Sequence, residues 1–179
     1  MLEHMLNRRS VRKFKDQEIS REHLQKILQA GLSAPSSRGL QPVDLIVTED
    51  KALIKKLIDC KSTATKALET APAAIVLTGD EEKSDTWIED ASIAATYIFL
   101  EAESLGLGAN WIQFHLRQGK TKGSEAEVRQ LMEIPDQYRV LAVIAFGYKD
   151  EEKRPLTIKD LDEKRIHRDQ FGNHIDTIL

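Results

Sequence analysis

The run Val140-Leu141-Ala142-Val143-Ile144-Ala145-Phe146 is apolar throughout, with no alternation and no charged interruption. A strand with one wet face alternates apolar and polar side chains, so an unbroken run of strand length implies burial on both faces. The pattern predicts a central strand over 139–146 in a sheet that helices cover on both sides. Its greasy surroundings, 138–148, begin with Tyr138-Arg139 and fall well short of the roughly 20 residues needed to cross a bilayer.

Other elements follow from periodicity and punctuation. Residues 20–32 read as a helix, with Ser20 as N-cap and Leu24, Ile27 and Leu28 as its apolar stripe. Val43 to Thr48 reads as a strand, Asp50 as the cap of a short helix carrying Leu53, Ile54, Leu57 and Ile58, and Ala73 to Thr78 as a second strand. Residues 63–70 are expected to add a further short helix. The longest helical reading, 86–105, repeats Ile88, Ala91, Ala95, Ile98, Ala102 and Leu105 on one face and carries Ile93, Ala94, Tyr97 and Leu100 on another, so it belongs in a core or an oligomer interface. Gly106 ends it. Ser124 and Glu127 have capping-box spacing ahead of a helix expected to reach Glu133 before Pro135.

At 179 residues the chain is expected to form one domain, 1–179, with a core that needs no disulfide or metal. After Tyr148 the composition turns charged, and 149–179 reads as an extension that packs on the body or on a second subunit through Phe171, Ile175, Ile178 and Leu179. A net charge of -3 and a pI near 6.0 argue against nucleic acid and membrane surfaces as partners. Cys60 is the single cysteine, and Glu3 and His4 stand where a secretory signal would be apolar, so the cytoplasm is the expected location.

Several familiar patterns fail on inspection. Gly119-Lys120-Thr121 has Phe114 where a phosphate loop needs its first glycine, and Gly106-Leu107-Gly108 has Trp111 at the third glycine of a dinucleotide fingerprint and follows a helix. The histidines at 4, 23, 115, 167 and 174 show no helical metal-ligand pairing, and no metal is expected. Ser36-Ser37 lacks the glycine frame of a nucleophile elbow.

What stands out is Arg8-Arg9-Ser10-Val11-Arg12, followed by Lys13-Phe14-Lys15. Guanidinium groups stay ionised and present a planar fork of donors, so several beside a hydroxyl suit a phosphate, although such a run also occurs as a solvated face. Downstream lie the broken polar loop Ala34-Pro35-Ser36-Ser37-Arg38-Gly39-Leu40-Gln41-Pro42 and the segment Gly106-Leu107-Gly108-Ala109-Asn110-Trp111-Ile112. Trp111 reads equally as a large core residue and as part of a turn, Gly108 to Gln113, that offers backbone N–H groups to the edge of a flat ring.

These segments and the 140–148 run, in this order and spacing, resemble the nitroreductase family of FMN-dependent oxidoreductases along nearly the whole chain. The resemblance implies an α+β fold, a three-layer sandwich whose mainly antiparallel sheet is flanked by helices, with two chains intertwined as a homodimer. It implies FMN as cofactor and NADH or NADPH as reductant. Arg8 is then expected at the FMN phosphate, Ser10 at the phosphate or ribityl chain, and Arg12 near the pyrimidine edge, with Arg9 in the same cluster. Pro35, Ser36 and Ser37 would reach the partner's flavin, with Gly39 and Gln41 in the same loop, while Trp111, Ile112 and Gln113 would meet the ring. Lys153 and Arg154, otherwise plain surface charges, gain a phosphate role from the resemblance. Gly39, Val43 and Gln113 depart from the asparagine, tryptophan and glycine frequent in relatives, which bears on substrate preference.

No side chain is assigned a catalytic role, because flavin carries the redox chemistry and the protein holds and tunes it. The expected activity is ping-pong hydride transfer from NAD(P)H to nitroaromatics, quinones or another electron-poor small molecule. A related expectation directs the reduced flavin at oxygen or a halogenated compound. A different class, a flavin storage or sensor module with little turnover, fits the same residues.

Overall fold

The computed structural model describes residues 1–174, so Ile175, Ile178 and Leu179, expected as anchors of the extension, lie outside the described residues. In chain order the elements are α1 (Leu2–Asn7), α2 (Arg21–Leu32), β1 (Val43–Thr48), α3 (Lys51–Asp59), β2 (Ala73–Asp80), α4 (Trp87–Ser104), β3 (Leu107–Gln113), α5 (Ser124–Leu131) and β4 (Tyr138–Tyr148). The strands form one sheet in the order β1-β2-β4-β3, antiparallel at every pairing. The apolar run thus lies on an inner strand, and helices cover both faces.

Period-two alternation divides the core into two layers. On β2, Ala74 and Val76 face a cluster with Ile54 and Leu57 of α3 and Val128 of α5, whereas Ala73, Ile75 and Leu77 face Ile27 of α2 and Ala91, Ala95 and Ile98 of α4. β4 feeds both, Val140 and Val143 into the first and Ile144 and Phe146 into the second. The pairing register shifts between Leu77 and Thr78, leaving Leu141 as an extra residue, so Leu141 and Ala142 both turn toward the α2/α4 side. Ile75, Ile144 and Phe146 are fully buried, each contributing roughly 1.5–3 kcal/mol of transfer free energy.

Local signals mostly act as read. Ser20 accepts from the His23 amide, and Asp50 accepts from the amides of Ala52 and Leu53. Three expectations need correction. Residues 63–70 form only a single 3-10 turn, Lys66–Glu69, since Ala64 sits at φ 62° and a turn this short has little cooperative stabilisation. The capping box at Ser124 does not form, because the buried Ser124 hydroxyl donates to the Phe114 carbonyl and Glu127 instead accepts from the Thr121 and Lys122 amides. Gly123 is the N-cap, and the helix stops at Leu131, with Glu133 at φ 53°. Finally, Gly108 to Gln113 is no turn. Gly106, at φ 75°, makes the reversal after α4, and the chain then pairs with β4 from Leu107↔Tyr148 to Gln113↔Ala142.

On α4, Ala91, Ala95, Ile98 and Ala102 are buried, while Ile93 and Tyr97 remain 37% and 40% exposed in the single chain. Beyond β4 the chain returns over α1, where the Leu156 amide donates to the Leu6 carbonyl, and Phe171 stands 94% exposed. Among the described residues no helix is long and apolar enough to cross a membrane.

Candidate functional site

The basic segment is held in place by its two apolar members. Val11 and Phe14 are 1% and 3% exposed and belong to the core cluster shared with α3 and α5. Ser10 bridges to Ala109, the Val11 amide donates to the Ala109 carbonyl (3.1 Å), and the Lys15 amide donates to the Tyr148 carbonyl (2.9 Å). The segment therefore runs along the outer edge of β3 and the end of β4. Extended backbone sends alternate side chains to opposite sides. Arg8 accordingly lies over the Phe99 ring of α4 at 5.9 Å, while Arg9 joins Val11 on the wall of a different cleft.

That cleft, about 690 Å³, collects Arg9, Lys15, Lys149 and Lys153 together with Asp150 and Glu151. Its charges are largely matched. Lys149 pairs with Glu103, Lys153 with Glu151, Lys13 with Asp150, and Arg154 makes a two-pronged contact with Asp160 at 2.7 and 2.9 Å. Lys153 and the Arg12 amide together hold the Glu151 carboxyl below the ordinary carboxylate range. Arg8, Arg9 and Arg12 form no ion pair among the described residues; Arg9 donates only to the Arg154 carbonyl. Of the basic side chains expected at a phosphate, Lys153 and Arg154 are thus already neutralised, and the three N-terminal arginines are available. This cleft is not where all of them point.

β3 supplies the second feature. Because Ala109 turns its carbonyl away from β4 toward Val11, the antiparallel ladder dictates that the backbone N–H and C=O of Trp111 and Gln113 also face outward. The Trp111 indole N–H donates to Gln113 Oε1 (2.9 Å), and the Gln113 amide nitrogen donates to the His115 carbonyl (3.2 Å). Trp111 packs on the core cluster shared with α2 and α4 yet stays half-buried, so its reading as a core residue holds in part. Ile112 is 2% exposed on the opposite face, so its side chain serves the core.

The loop 34–42 lies elsewhere, against the start of α4. Arg38, Gly39 and Gln41 all adopt positive φ (55°, 67° and 47°), a conformation costly for Arg and Gln. Tethers compensate. Ser36 Oγ accepts from the Gln41 amide (2.8 Å), the Ser37 amide donates to Asp90 Oδ1 (2.8 Å), Arg38 pairs with Asp85, and Lys83 donates to the Gln41 carbonyl (3.1 Å). Pro35, Ser36 and Gln41 line a small cleft with Asp90 and Ala94. Asp90 and Phe99, which mark the loop and Arg8, are nine residues apart on α4, about 13 Å at the helical rise. One chain therefore does not bring Pro35, Ser36, Ser37, Gly39 and Gln41 together with Arg8.

A model of the Nitroreductase family matches residues 5–68 and 60–148, most of the chain. The chain belongs to the nitroreductase family. A relative from Archaeoglobus fulgidus, provisionally named NADH dehydrogenase/NAD(P)H nitroreductase, is 35% identical over 175 residues, 95% of this chain and 98% of its own. An FMN-dependent nitroreductase from Clostridium difficile R20291 superposes with a TM-score of 0.93 at 44% identity, covering 96% of this chain and all of its own. The NADPH:FMN oxidoreductase of Vibrio harveyi, solved with NAD+, gives a TM-score of 0.79 at 28% identity over 96% of this chain and 78% of its own.

Within this nitroreductase fold, sequence reasoning passed over two groups. Asp90 is 3% exposed and in register with Ala94 and Ile98, and an acid on a buried helical stripe was the available signal. At the end of β3, His115 Nδ1 lies 3.2 Å from Glu125, which grips Arg139, which in turn reaches Glu81 at 2.8 Å. Burial alone would push the Glu125 carboxyl up, but Arg139, His115 and the Val140 amide together hold it below its ordinary value. No periodicity links positions 81, 115, 125 and 139.

Proposed function

We propose that the protein is an FMN-dependent oxidoreductase that takes hydride from NADH or NADPH and passes it to a nitroaromatic, a quinone or another electron-poor small molecule in a ping-pong cycle. The observation that carries this reading is a set of guanidinium groups, Arg8, Arg9 and Arg12, without a carboxylate partner among the described residues and beside an open strand edge, while Lys13, Lys149, Lys153 and Arg154 nearby are paired. Unmatched fixed charge next to unpaired backbone donors fits a dianionic phosphate attached to a flat heterocycle. Bound FMN would supply the two-electron chemistry, accepting hydride from one substrate and yielding it to the next.

The residues then divide the work. Arg8 and Ser10, on one side of the extended segment, hold the phosphate end. Arg12 places positive charge where reduction deposits negative charge on the pyrimidine side, and a preorganised cation stabilises the reduced form without reorganising. The outward N–H groups of Trp111 and Gln113 meet the ring's polar edge, and Gln113 fixes the Trp111 indole.

A homodimer with shared sites fits the same geometry. A two-fold axis that sets two α4 helices antiparallel would bring the loop at one helix start near Arg8 at the other helix end. The exposed Ile93 and Tyr97 give that contact an apolar surface. Pro35, Ser36 and Ser37 would then serve the partner's cofactor.

Anaerobic mixing of the flavin-loaded protein with NADH or NADPH tests the activity. Rapid bleaching of the flavin absorption, reversed on adding a nitroaromatic or quinone, is the expected result. A flavin-loaded protein that neither cofactor bleaches is instead a storage or sensor module.

A further inference from the structure

We infer that Asp90 is a positioning residue whose buried carboxylate fixes the Pro35-Ser36-Ser37 loop in the conformation that the shared site requires; this rests on the function proposed above. Asp90 is 3% exposed and has no cationic partner among the described residues. It is met by neutral donors: the Ser37 amide at 2.8 Å, and the hydroxyls of Ser84 and Thr86, each at 3.4 Å. A carboxylate buried without a counter-charge is costly unless its hydrogen bonds do something that an apolar residue could not. Its place in the first turn of α4 offsets part of that cost through the helix dipole.

What the carboxylate gains is control of a strained loop. Arg38 and Gln41 adopt left-handed conformations immediately beyond Ser37, and such residues persist only where the surroundings over-determine them. Of the other tethers, Ser36 Oγ to the Gln41 amide stays within the loop, and Arg38 to Asp85 and Lys83 to the Gln41 carbonyl involve exposed side chains, contacts that contribute little. The Ser37–Asp90 bond is the tether drawn into the interior.

The hydrogen bond can be cut from either end. Asp90→Ala removes the acceptor, and Asp90→Asn keeps a neutral one. Ser37→Pro removes the amide donor together with the Ser37 hydroxyl, and Ser37→Ala, which removes the hydroxyl alone, is its control for FMN affinity. Ser36 is extended at φ -133° and ψ 156°, which suits a residue before proline, and position 37 opens a helical turn, where proline is accommodated. Arg38 and Gly39 form an exposed tryptic site inside the loop, so cleavage there reports loop order directly.

The full-length variants, each with the same excess of FMN, are treated with trypsin, and cleavage after Arg38 is followed by mass spectrometry. FMN dissociation constants are measured in parallel by quenching of flavin fluorescence. Asp90→Ala and Ser37→Pro should be nicked after Arg38 about tenfold faster than the parent and bind FMN about tenfold more weakly, the scale of one charge-assisted hydrogen bond. Asp90→Asn should stay close to the parent in both. Parental nicking rates in Ser37→Pro, or faster nicking with unchanged FMN affinity, overturn the assignment. Should Asp90→Ala not fold, Ser37→Pro carries the test alone. A parent protein that binds no FMN refutes the proposed function instead, and the nicking comparison still decides whether Asp90 orders the loop.

Discussion

Gly108 lies directly under Val11: a Cβ built on the glycine would come within 2.7 Å of the valine Cβ, closer than real side chains approach. The absence of a side chain on β3 is what lets the basic segment dock against the strand edge. Gly108→Ala must push Val11 out of its pocket, at a cost of about 1–3 kcal/mol for overpacking. Chemical denaturation should show that loss, and flavin per chain in the purified variant should fall with it. A variant of unchanged flavin content would detach the segment's position from cofactor binding.

Arg8 and Lys13 offer a contrast within the same segment. Arg8 has no carboxylate partner among the described residues, whereas Lys13 pairs with Asp150 at an exposed position. Arg8→Ala should weaken FMN retention by about 1.5–3 kcal/mol, the range for a charge-assisted contact, and Lys13→Ala should leave it nearly unchanged. Flavin content after gel filtration measures both. Equal losses in the two variants would remove Arg8 from the phosphate.

Glu125 joins β4 to α5 through Arg139, and their side chains are only 12% and 29% exposed. Glu125→Ala leaves Arg139 half-buried with Glu81 alone, and the expected loss is roughly 3 kcal/mol, at the low end for a broken buried pair. The folded state depresses the Glu125 pKa, so its stabilisation is complete above the unfolded value near 4.3 and disappears as pH falls through the folded value. Urea midpoints of parent and variant should therefore converge in acid. Parallel curves down to pH 3 would contradict this.

Cys60 is buried, and desolvation, reinforced by Glu127 and Asp59, pushes its thiol up to about 11. At pH 8 the thiolate fraction is roughly two orders of magnitude below that of a free cysteine, so a disulfide reagent should react slowly until denaturant is added. Because the folded pKa is raised, the associated stabilisation is present below the unfolded value of about 8.5 and fades as pH rises toward 11. Stoichiometric labelling of the native protein within minutes would show the thiol to be accessible.

The residues from Val140 to Phe146 announced an inner strand because no other arrangement removes an unbroken apolar run from water. Ser20, Asp50 and Gly106 marked their helix boundaries just as legibly, since caps and left-handed reversals depend on a few adjacent atoms. Ser124 misled because its hydroxyl found the Phe114 carbonyl, a partner ten positions away along the chain. Gly108 to Gln113 misled because pairing with β4 outweighed its glycine.

Local chemistry alone therefore marked α2, α3, α4 and α5, the strands β1, β2 and β4, and the presence of a concentrated positive charge near the start of the chain. Which arginines stay unpaired was settled by carboxylates near the other end, Asp150, Glu151 and Asp160, brought alongside when β4 returned past β3. The same holds for Asp90 beneath Ser37 and for the loop's separation from Arg8 along α4. Ion pairing and loop tethering act through space over a few ångströms, and the distance in space between residues far apart in sequence exists only once the sheet has formed.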